Sequence, residues 1–300
     1  MAAGIGGRAL PYSKLLPKEL SEVHGLPLVA RVVTELAAAG VKNVVTVIGE
    51  DFDADGNNYQ EVLLRRWFEP NDYLAQRLIE LKKPDEESLL RKLDQGQGMN
   101  YEYVTQRNDG RYGTAMPLHA ARHALRGSGR FLVVNGDDLM LSPEGASPLG
   151  RFVTDVDNSG AGHGVMVKSL ARQESGVYPY GIMRTNESNL LTGYVEKPNA
   201  EVITELVPKA NLGKYLFSES VFEPLGDYVG RSLEELQRPE YYLPDIFAML
   251  NELGEHTYVH TTDVEFLDAG DANLRMIASM KVAGMPADII AAAKTHLGLK

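Results

Sequence analysis

The sequence predicts an α/β protein built on an open mixed sheet flanked by helices, and two stretches carry that prediction. In "LPLVARVVTELAAAGVKNVVTVIGED", Leu28, Val32, Val33, Leu36 and Ala37 recur at helical spacing, Gly40 can end the helix, and "NVVTVIG" reads as a buried strand. A helix joined to a strand by so tight a connection belongs to a parallel sheet. The middle of the chain has a different style. "GVYPYGIMRT", "LLTGYVEKPN" and "NLGKYLFS" are short strand-like runs separated by turn residues, as an antiparallel or mixed sheet requires.

The remaining elements follow in order. Residues 57–94 are polar and helical, and Pro70 and Pro84 divide them into roughly three short helices. "YEYVTQ" is a strand, "TAMPLHAARHAL" a helix, and "GRFLVVNGDDL" a strand running into paired aspartates. The helix "PLGRFVTDVD" leads to the strand "GHGVMVKSL". Beyond the mixed middle come helical segments around "SVFEPL", "LPDIFAMLNEL" and "ANLRMIASMKVAGM", with the strand "TYVHTT" among them. "ADIIAAAKTHLGL" reads as a closing amphipathic helix. With no repeat, low-complexity tract or linker, residues 1–300 are expected to form one domain, with a helical insert at 57–94 and C-terminal helices at 271–300.

Composition narrows the function. Thirty basic against 41 acidic side chains give a net charge of −11, a field that repels nucleic acid unless the cations are gathered on one face. Zero cysteines exclude disulfides and thiolate metal sites and fit a reducing cytoplasm, the expected location. No apolar run reaches the ~20 residues that span a bilayer, so no membrane partner is expected.

Four constellations carry chemistry. "GIGGR" supplies Gly4, Gly6 and Gly7, whose backbone can turn sharply and aim N–H groups into one concavity, as an alternative to a merely flexible terminus. Arg8 adds a planar fork for phosphate oxygens and Lys18 a mobile ammonium. "FLVVNGDDL" sets Asp137 and Asp138 at the end of an apolar strand, the edge of an α/β sheet where ligands bind, although Gly-Asp-Asp is also a turn signal. Asp268 in "EFLDAGD" follows a second apolar stretch, and two such carboxylates could share Mg²⁺ with substrate phosphates. Glu196 and Lys197 stand at a strand end before a proline; a carboxylate there can bind sugar hydroxyls and an ammonium can neutralise phosphate, or the two can form a surface ion pair. His119 and His123 are one helical turn apart, a spacing that can bind zinc, but no third ligand is placed nearby and both read as helix-surface residues.

The order of these signals is what resembles a known family. "AAGIGGRALPYSKLLPKEL" is similar to the glycine-rich signature of sugar-1-phosphate nucleotidyltransferases. The match continues through the helical insert, "YVTQ" and "YGTA", "VNGDDL", "YVEKPN", "GKYLFS" and "FLDAG", nearly the whole chain. The narrowest likeness is to the bacterial branch that makes UDP-glucose and pyrophosphate from UTP and glucose 1-phosphate. The resemblance implies a Rossmann-like nucleotide-diphospho-sugar transferase fold. It implies that Arg8, Lys18 and Lys197 act on phosphates, that Gly4, Gly6, Gln106 and Gly113 bind the nucleotide, and that Gly181, Glu196 and Gly213 bind the sugar phosphate. It also implies that Asp137 and Asp268 hold Mg²⁺, and that the protein is a homo-oligomer, dimer or tetramer.

Four departures qualify what is implied. Gly7 stands where the family usually has threonine, Leu26 where a basic residue is common, and Arg111 near the base where glycine is frequent, which opens the choice of base. The largest departure is at the start. The family's apolar strand before A-A-G is missing, which would leave its neighbours in the sheet with unpaired backbone groups; the expectation is a start site placed downstream of the real one. The alternatives are the same chemistry with another nucleoside triphosphate or sugar phosphate, and a nucleotide-sugar-binding protein without turnover. A glycosyltransferase would explain the aspartates but not the glycine-rich start.

Overall fold

The structure is a computed structural model, described here for residues 1–4, 7–94, 98–143, 145–236 and 239–299. A two-residue hairpin, β1 (Glu22–Val23) with β2 (Leu26–Pro27), leads into α1 (Leu28–Ala38). Its apolar stripe of Leu28, Val29, Val32, Val33 and Leu36 is buried, and the chain leaves through Gly40 in the left-handed region at φ +82°. Next come β3 (Asn43–Gly49) and three helices: α2 (Tyr59–Phe68), α3 (Asp72–Glu80) and α4 (Pro84–Asp94). Asn58 caps α2 by accepting from the Gln60 and Glu61 N–H groups, and Asn71 caps α3 by accepting from that of Leu74.

β4 (Asn100–Gln106) runs parallel to β3, pairing Gly49 with Gln106. After α5 (Ala115–Ala121) come β5 (Arg130–Val134), β6 (Asp138–Leu141), α6 (Pro148–Ser159) and β7 (His163–Ser169). Ser147 and Pro148 start α6 and Gly160 ends it at φ +72°. The mixed section contributes β8 (Ile182–Thr185), β9 (Leu191–Val195) and β10 (Lys209–Ser218). Then follow α7 (Phe222–Gly230), α8 (Ile246–Glu252), β11 (Thr257–Thr261), β12 (Glu265–Asp268), α9 (Ala272–Val282) and α10 (Ala287–His296).

β10 organises the main sheet, pairing antiparallel with β5, β7 and β8, while β11 adds to β7 in parallel and β9 to β8 antiparallel. Two apolar clusters cover its faces. Leu118, Val133, Phe217 and Phe247 belong to the side with α5, α7 and α8; Val32, Phe152, Met166 and Leu216 belong to the side with α1 and α6. Gly164 sits where a side chain would enter the second cluster, with an added Cβ 2.5 Å from Val156 and 2.9 Å from Phe152.

The open mixed α/β architecture is as expected. β3 and β4 form a pair of their own, separate from the main sheet. Between β3 and β5 runs a gap bridged at one end by Met1 and Ala2. The Met1 nitrogen donates to the Val134 carbonyl at 2.7 Å, the Met1 carbonyl accepts from the Gly136 N–H at 2.9 Å, and the Ala2 N–H donates to the Val47 carbonyl at 2.8 Å.

Some elements differ from expectation. Only Ile182–Thr185 of "GVYPYGIMRT" is strand, and the helix after Thr114 ends at Ala121, where the chain passes into turns. The closing helix α10 has no fully buried residue: it packs against α9, and Ile290 is only half-buried there. His119 is half-buried rather than on the surface, and burial, then the charges of Arg122 and Arg111, pushes its imidazole down to about 4. Gly164→Val is expected to overpack the Phe152–Val156 contact and cost about 1–3 kcal/mol, read as a lower urea midpoint with an unchanged slope.

Candidate active site

The described part of the glycine-rich segment lies over the edge of the sheet. Gly4 sits against the Lys18 side chain, where an added Cβ would come within 3.5 Å of Nζ. Gly6 and the Arg8 side chain lie outside the described residues, whereas the Arg8 backbone belongs to a short 3₁₀ turn, Gly7–Ala9. Lys18 is half-buried and its ammonium donates to the Asp137 carboxylate, with Glu19 3.9 Å away.

Asp137 follows β5 in a tight turn, and its carbonyl accepts from the Ala269 N–H at 2.9 Å. That bond, with β12 antiparallel to β6 and Asp268 opposite Asp138, brings together residues far apart in sequence. Gly270 marks the meeting point: a Cβ there would lie 2.6 Å from Asp137 Oδ2 and 3.1 Å from Asp268 Oδ1. The structure therefore gathers Gly4, Lys18, Asp137 and Asp268 into one cluster.

A buried polar layer supports it. Asn135 donates to Asp138 Oδ2 at 2.6 Å, and the fully buried Lys214 donates to the Asp138 carbonyl at 2.8 Å. Burial raises the Asp138 carboxyl, and Asp137 and Asp268 add to the rise, while Lys214 and Asn135 oppose it. Glu35 on α1 accepts from the Met140 N–H at 2.9 Å, and its other oxygen is buried without a partner. Burial holds Glu35 up at about 7 against the pull of Lys214, and holds the buried Glu19 at about 7 against that of Lys18.

A second cluster adjoins the first. Gly181 has no side chain because Tyr194 and Glu196 fill the space, with an added Cβ 2.3 Å from the ring and 2.7 Å from Glu196 Oε2. The Tyr194 hydroxyl donates to Glu196, and its ring stacks on Tyr242 with centroids 6.2 Å apart. Asn211 joins the clusters: its N–H donates to the Gly181 carbonyl at 2.8 Å and its Oδ1 accepts from the Gly213 N–H at 3.0 Å. Gly213 has φ +64°, and a Cβ there would press to 2.6 Å from Asn135 Nδ2 and 3.0 Å from Asp138 Oδ2. Lys197 stands apart from this packing, 62% exposed and 4.0 Å from Glu196.

The remaining sequence candidates are on the β4 side. Gln106 ends β4 with a buried Oε1 that has no partner, an acceptor left for a ligand donor. Gly113 has φ +131° and packs against the Tyr241 backbone, 2.3 Å from where a Cβ would sit, so its lack of a side chain has a structural cause. Arg111 turns to Asp109, with Nε 3.0 Å from Oδ2, and to the Val229 carbonyl at 3.3 Å.

Sequence reasoning missed Gly270, Asn135, Tyr194, Asn211 and Lys214 as members of the site. "VNGDDL", "YVEKPN" and "GKYLFS" contain Asn135, Tyr194 and Lys214, so their neighbourhoods were visible, but burial and bonding partners are tertiary facts.

A sheet edge where an ammonium, two converging carboxylates and close-approach glycines meet defines an α/β protein that handles phosphorylated ligands. The chain belongs to the nucleotidyl transferase family, whose sequence model matches residues 72–283. It is 28% identical over 256 residues to a UTP–glucose-1-phosphate uridylyltransferase of Streptococcus pneumoniae, covering 84% of this chain and 78% of that one. It is 27% identical over 229 residues to UTP–glucose-1-phosphate uridylyltransferase YngB of Bacillus subtilis, covering 75% and 70%. The fold is shared with a UDP-glucose pyrophosphorylase from Acinetobacter baumannii at TM-score 0.76 and 23% identity, over 100% of this chain and 97% of that one. It is also shared with a UDP-glucose pyrophosphorylase solved with UDP-glucose, at TM-score 0.71 and 23% identity, over 94% and 96%.

The raised carboxyls predict a pH dependence. Folded Glu35 and Glu19 hold protons up to about 7, whereas their unfolded counterparts release them near 4.5. The native state binds more protons across that window, so stability is greatest below it and falls as pH rises through it. The unfolding temperature is expected to drop between pH 5 and pH 7, and Glu35→Gln to flatten the drop; an unaltered slope in the variant would show that Glu35 does not contribute.

Proposed function

We propose that this chain transfers uridylyl from UTP to glucose 1-phosphate, giving UDP-glucose and pyrophosphate. The observation that carries the reading is the meeting of Lys18, Asp137 and Asp268 at Gly270, one residue bridge away from Gly181 and Glu196. The names of the curated relatives support the choice of substrates. In this reading residues 1–300 are one nucleotidyltransferase domain with an insert at 57–94 and C-terminal helices at 271–300, and the protein is a cytoplasmic homo-oligomer.

An oxygen of the sugar phosphate attacks the α-phosphorus of the nucleotide, forming a new P–O bond as the bond to the bridging oxygen breaks and pyrophosphate departs. The attacking oxygen is already anionic, so no general base is needed. What the protein must supply is proximity between two anions that repel each other, and charge to hold them. Lys18 and Lys197 supply positive charge, with Arg8 assigned the same task by resemblance. Glu196, held by Tyr194, accepts from sugar hydroxyls, and the unpartnered Gln106 Oε1 accepts from the base.

The donor set fits Mg²⁺. Two carboxylates flank a residue with no side chain, which leaves room for a hard cation that takes its other ligands from phosphates and water. Bound there, Mg²⁺ would neutralise charge on the triphosphate.

The test is pyrophosphate release with Mg²⁺, glucose 1-phosphate and each nucleoside triphosphate in turn. UTP is expected to be preferred; preference for another base would shift the substrate, and failure of every pair while UDP-glucose still binds would replace the transferase with a binding protein. Asp137→Ala and Lys18→Ala are each expected to lower kcat/KM about 10²-fold or more with little change in unfolding temperature, since charge aimed at the reacting phosphate is worth that much. Turnover that survives both substitutions would end the assignment of this cluster.

A further inference from the structure

β10 carries an irregularity at the candidate site. Lys209, Ala210 and Asn211 pair with Ser169, Lys168 and Val167 of β7, but the next pair is Tyr215 with Val165. Leu212, Gly213 and Lys214 therefore share the place opposite Met166, which makes a bulge. On its other edge β10 changes partner across the same residues: Ala210 pairs with Ile182 of β8, and Lys214 with Val134 of β5. Gly181, just before β8, and Asn135, just after β5, converge there and bring the two clusters of the site together.

A bulge takes backbone groups off the ladder, and the Asn211 side chain satisfies one of them. Its Oδ1 accepts from the Gly213 N–H at 3.0 Å, and its Nδ2 donates to the Tyr215 hydroxyl at 2.8 Å. Only one orientation of the amide fits. A backbone N–H can only donate, so the oxygen must face Gly213, which leaves the nitrogen for Tyr215. Tyr215 is 5% exposed and its ring stacks on Phe217 with centroids 5.8 Å apart, so the far end of this brace is fixed in the core. The Asn211 N–H also holds the Gly181 carbonyl at 2.8 Å.

What the brace sets is position. Gly213 is held at φ +64°, so close to the turn after β5 that a Cβ would lie 2.6 Å from Asn135 Nδ2 and 3.0 Å from Asp138 Oδ2. Lys214, the next residue, turns inward to the Asp138 carbonyl at 2.8 Å. Opening the bulge would shift Gly213 and Gly181 against that turn while leaving Lys18, Asp137 and Asp268 in place.

We propose that Asn211 is a positioning residue for the sugar phosphate: it holds the β10 bulge closed and so fixes Gly181 and Gly213 against the Asn135–Asp138 turn. The role rests on the uridylyl transfer proposed above. It acts on glucose 1-phosphate rather than on UTP, because Gly4, Gln106 and Gly113, assigned to the nucleotide, belong to other segments.

The test compares the full chain with Asn211→Leu, which keeps the volume and loses both side-chain bonds, and with Asn211→Ser, whose hydroxyl can accept from the N–H two residues on. With Mg²⁺ present, Asn211→Leu is expected to raise KM for glucose 1-phosphate about tenfold while KM for UTP stays within about twofold. Asn211→Ser is expected to fall between the two. Hydrogen exchange at the Gly213 amide should quicken about tenfold or more in Asn211→Leu. A change in unfolding temperature alone, KM values that rise together, a serine variant no better than leucine, or unchanged Gly213 exchange would overturn the proposal. If Asn211→Leu does not fold, Asn211→Ala gives the same contrast. An unaltered chain that turns over no substrate pair would overturn the uridylyl-transfer reading and this role with it. Turnover in the unaltered chain with an unmoved KM for glucose 1-phosphate in the variant would overturn the role of Asn211 alone.

Discussion

Charge balance at the end of β5 is the constraint on which the rest of the site depends. Five carboxyl groups, on Glu19, Glu35, Asp137, Asp138 and Asp268, crowd the neighbourhood of Lys18 and Lys214. Carboxylates brought this close out of water repel one another and lose hydration, so some must keep their protons or find a cation. Both outcomes occur: burial holds Glu19 and Glu35 near neutral pH, and Lys18 lies against Asp137. Lys214 spends its ammonium on a carbonyl deep in the same layer. A site that gathers this many carboxyl groups around Lys18 is suited to take up a divalent cation and phosphate together, which is the proposed chemistry.

The sheet delivers that crowding. β10 is long enough to hold β5, β7 and β8 at once, and the turn after β5 then faces the β6–β12 pair. Glycine does the rest where backbone must come close. Gly270, Gly213 and Gly181 each occupy a position whose Cβ would strike a site residue, so a single added methyl would push a carboxylate, an asparagine or a tyrosine out of place. The gap beside β5 shares this framework, since Gly136, next to Asp137, is also the residue whose N–H holds the Met1 carbonyl.

Much of this was legible in the chain. The stripe of α1 and the buried run of β3 announced themselves by periodicity, and the family by the order of "GIGGR", "VNGDDL", "YVEKPN" and "FLDAG". What periodicity overstated was local. α10 looks amphipathic yet has no fully buried residue, and "GVYPYGIMRT" has strand composition but forms a strand over only four residues, Ile182–Thr185. A strand exists only where a neighbour accepts its hydrogen bonds, and composition does not name the neighbour.

The sequence by itself determined the residue types that meet phosphate and metal, because Lys18, Asp137 and Asp268 carry their chemistry wherever they are placed, and their motifs mark them. Tertiary structure decided which of them meet. Asp137 and Asp268 converge because β12 pairs with β6 in one register and no side chain at Gly270 holds them apart. It also decided which groups keep their protons: the two glutamates at about 7 are ordinary residues in the chain, and only burial distinguishes them. Distance and desolvation are set by the packing of segments remote in sequence, so no local pattern can encode them.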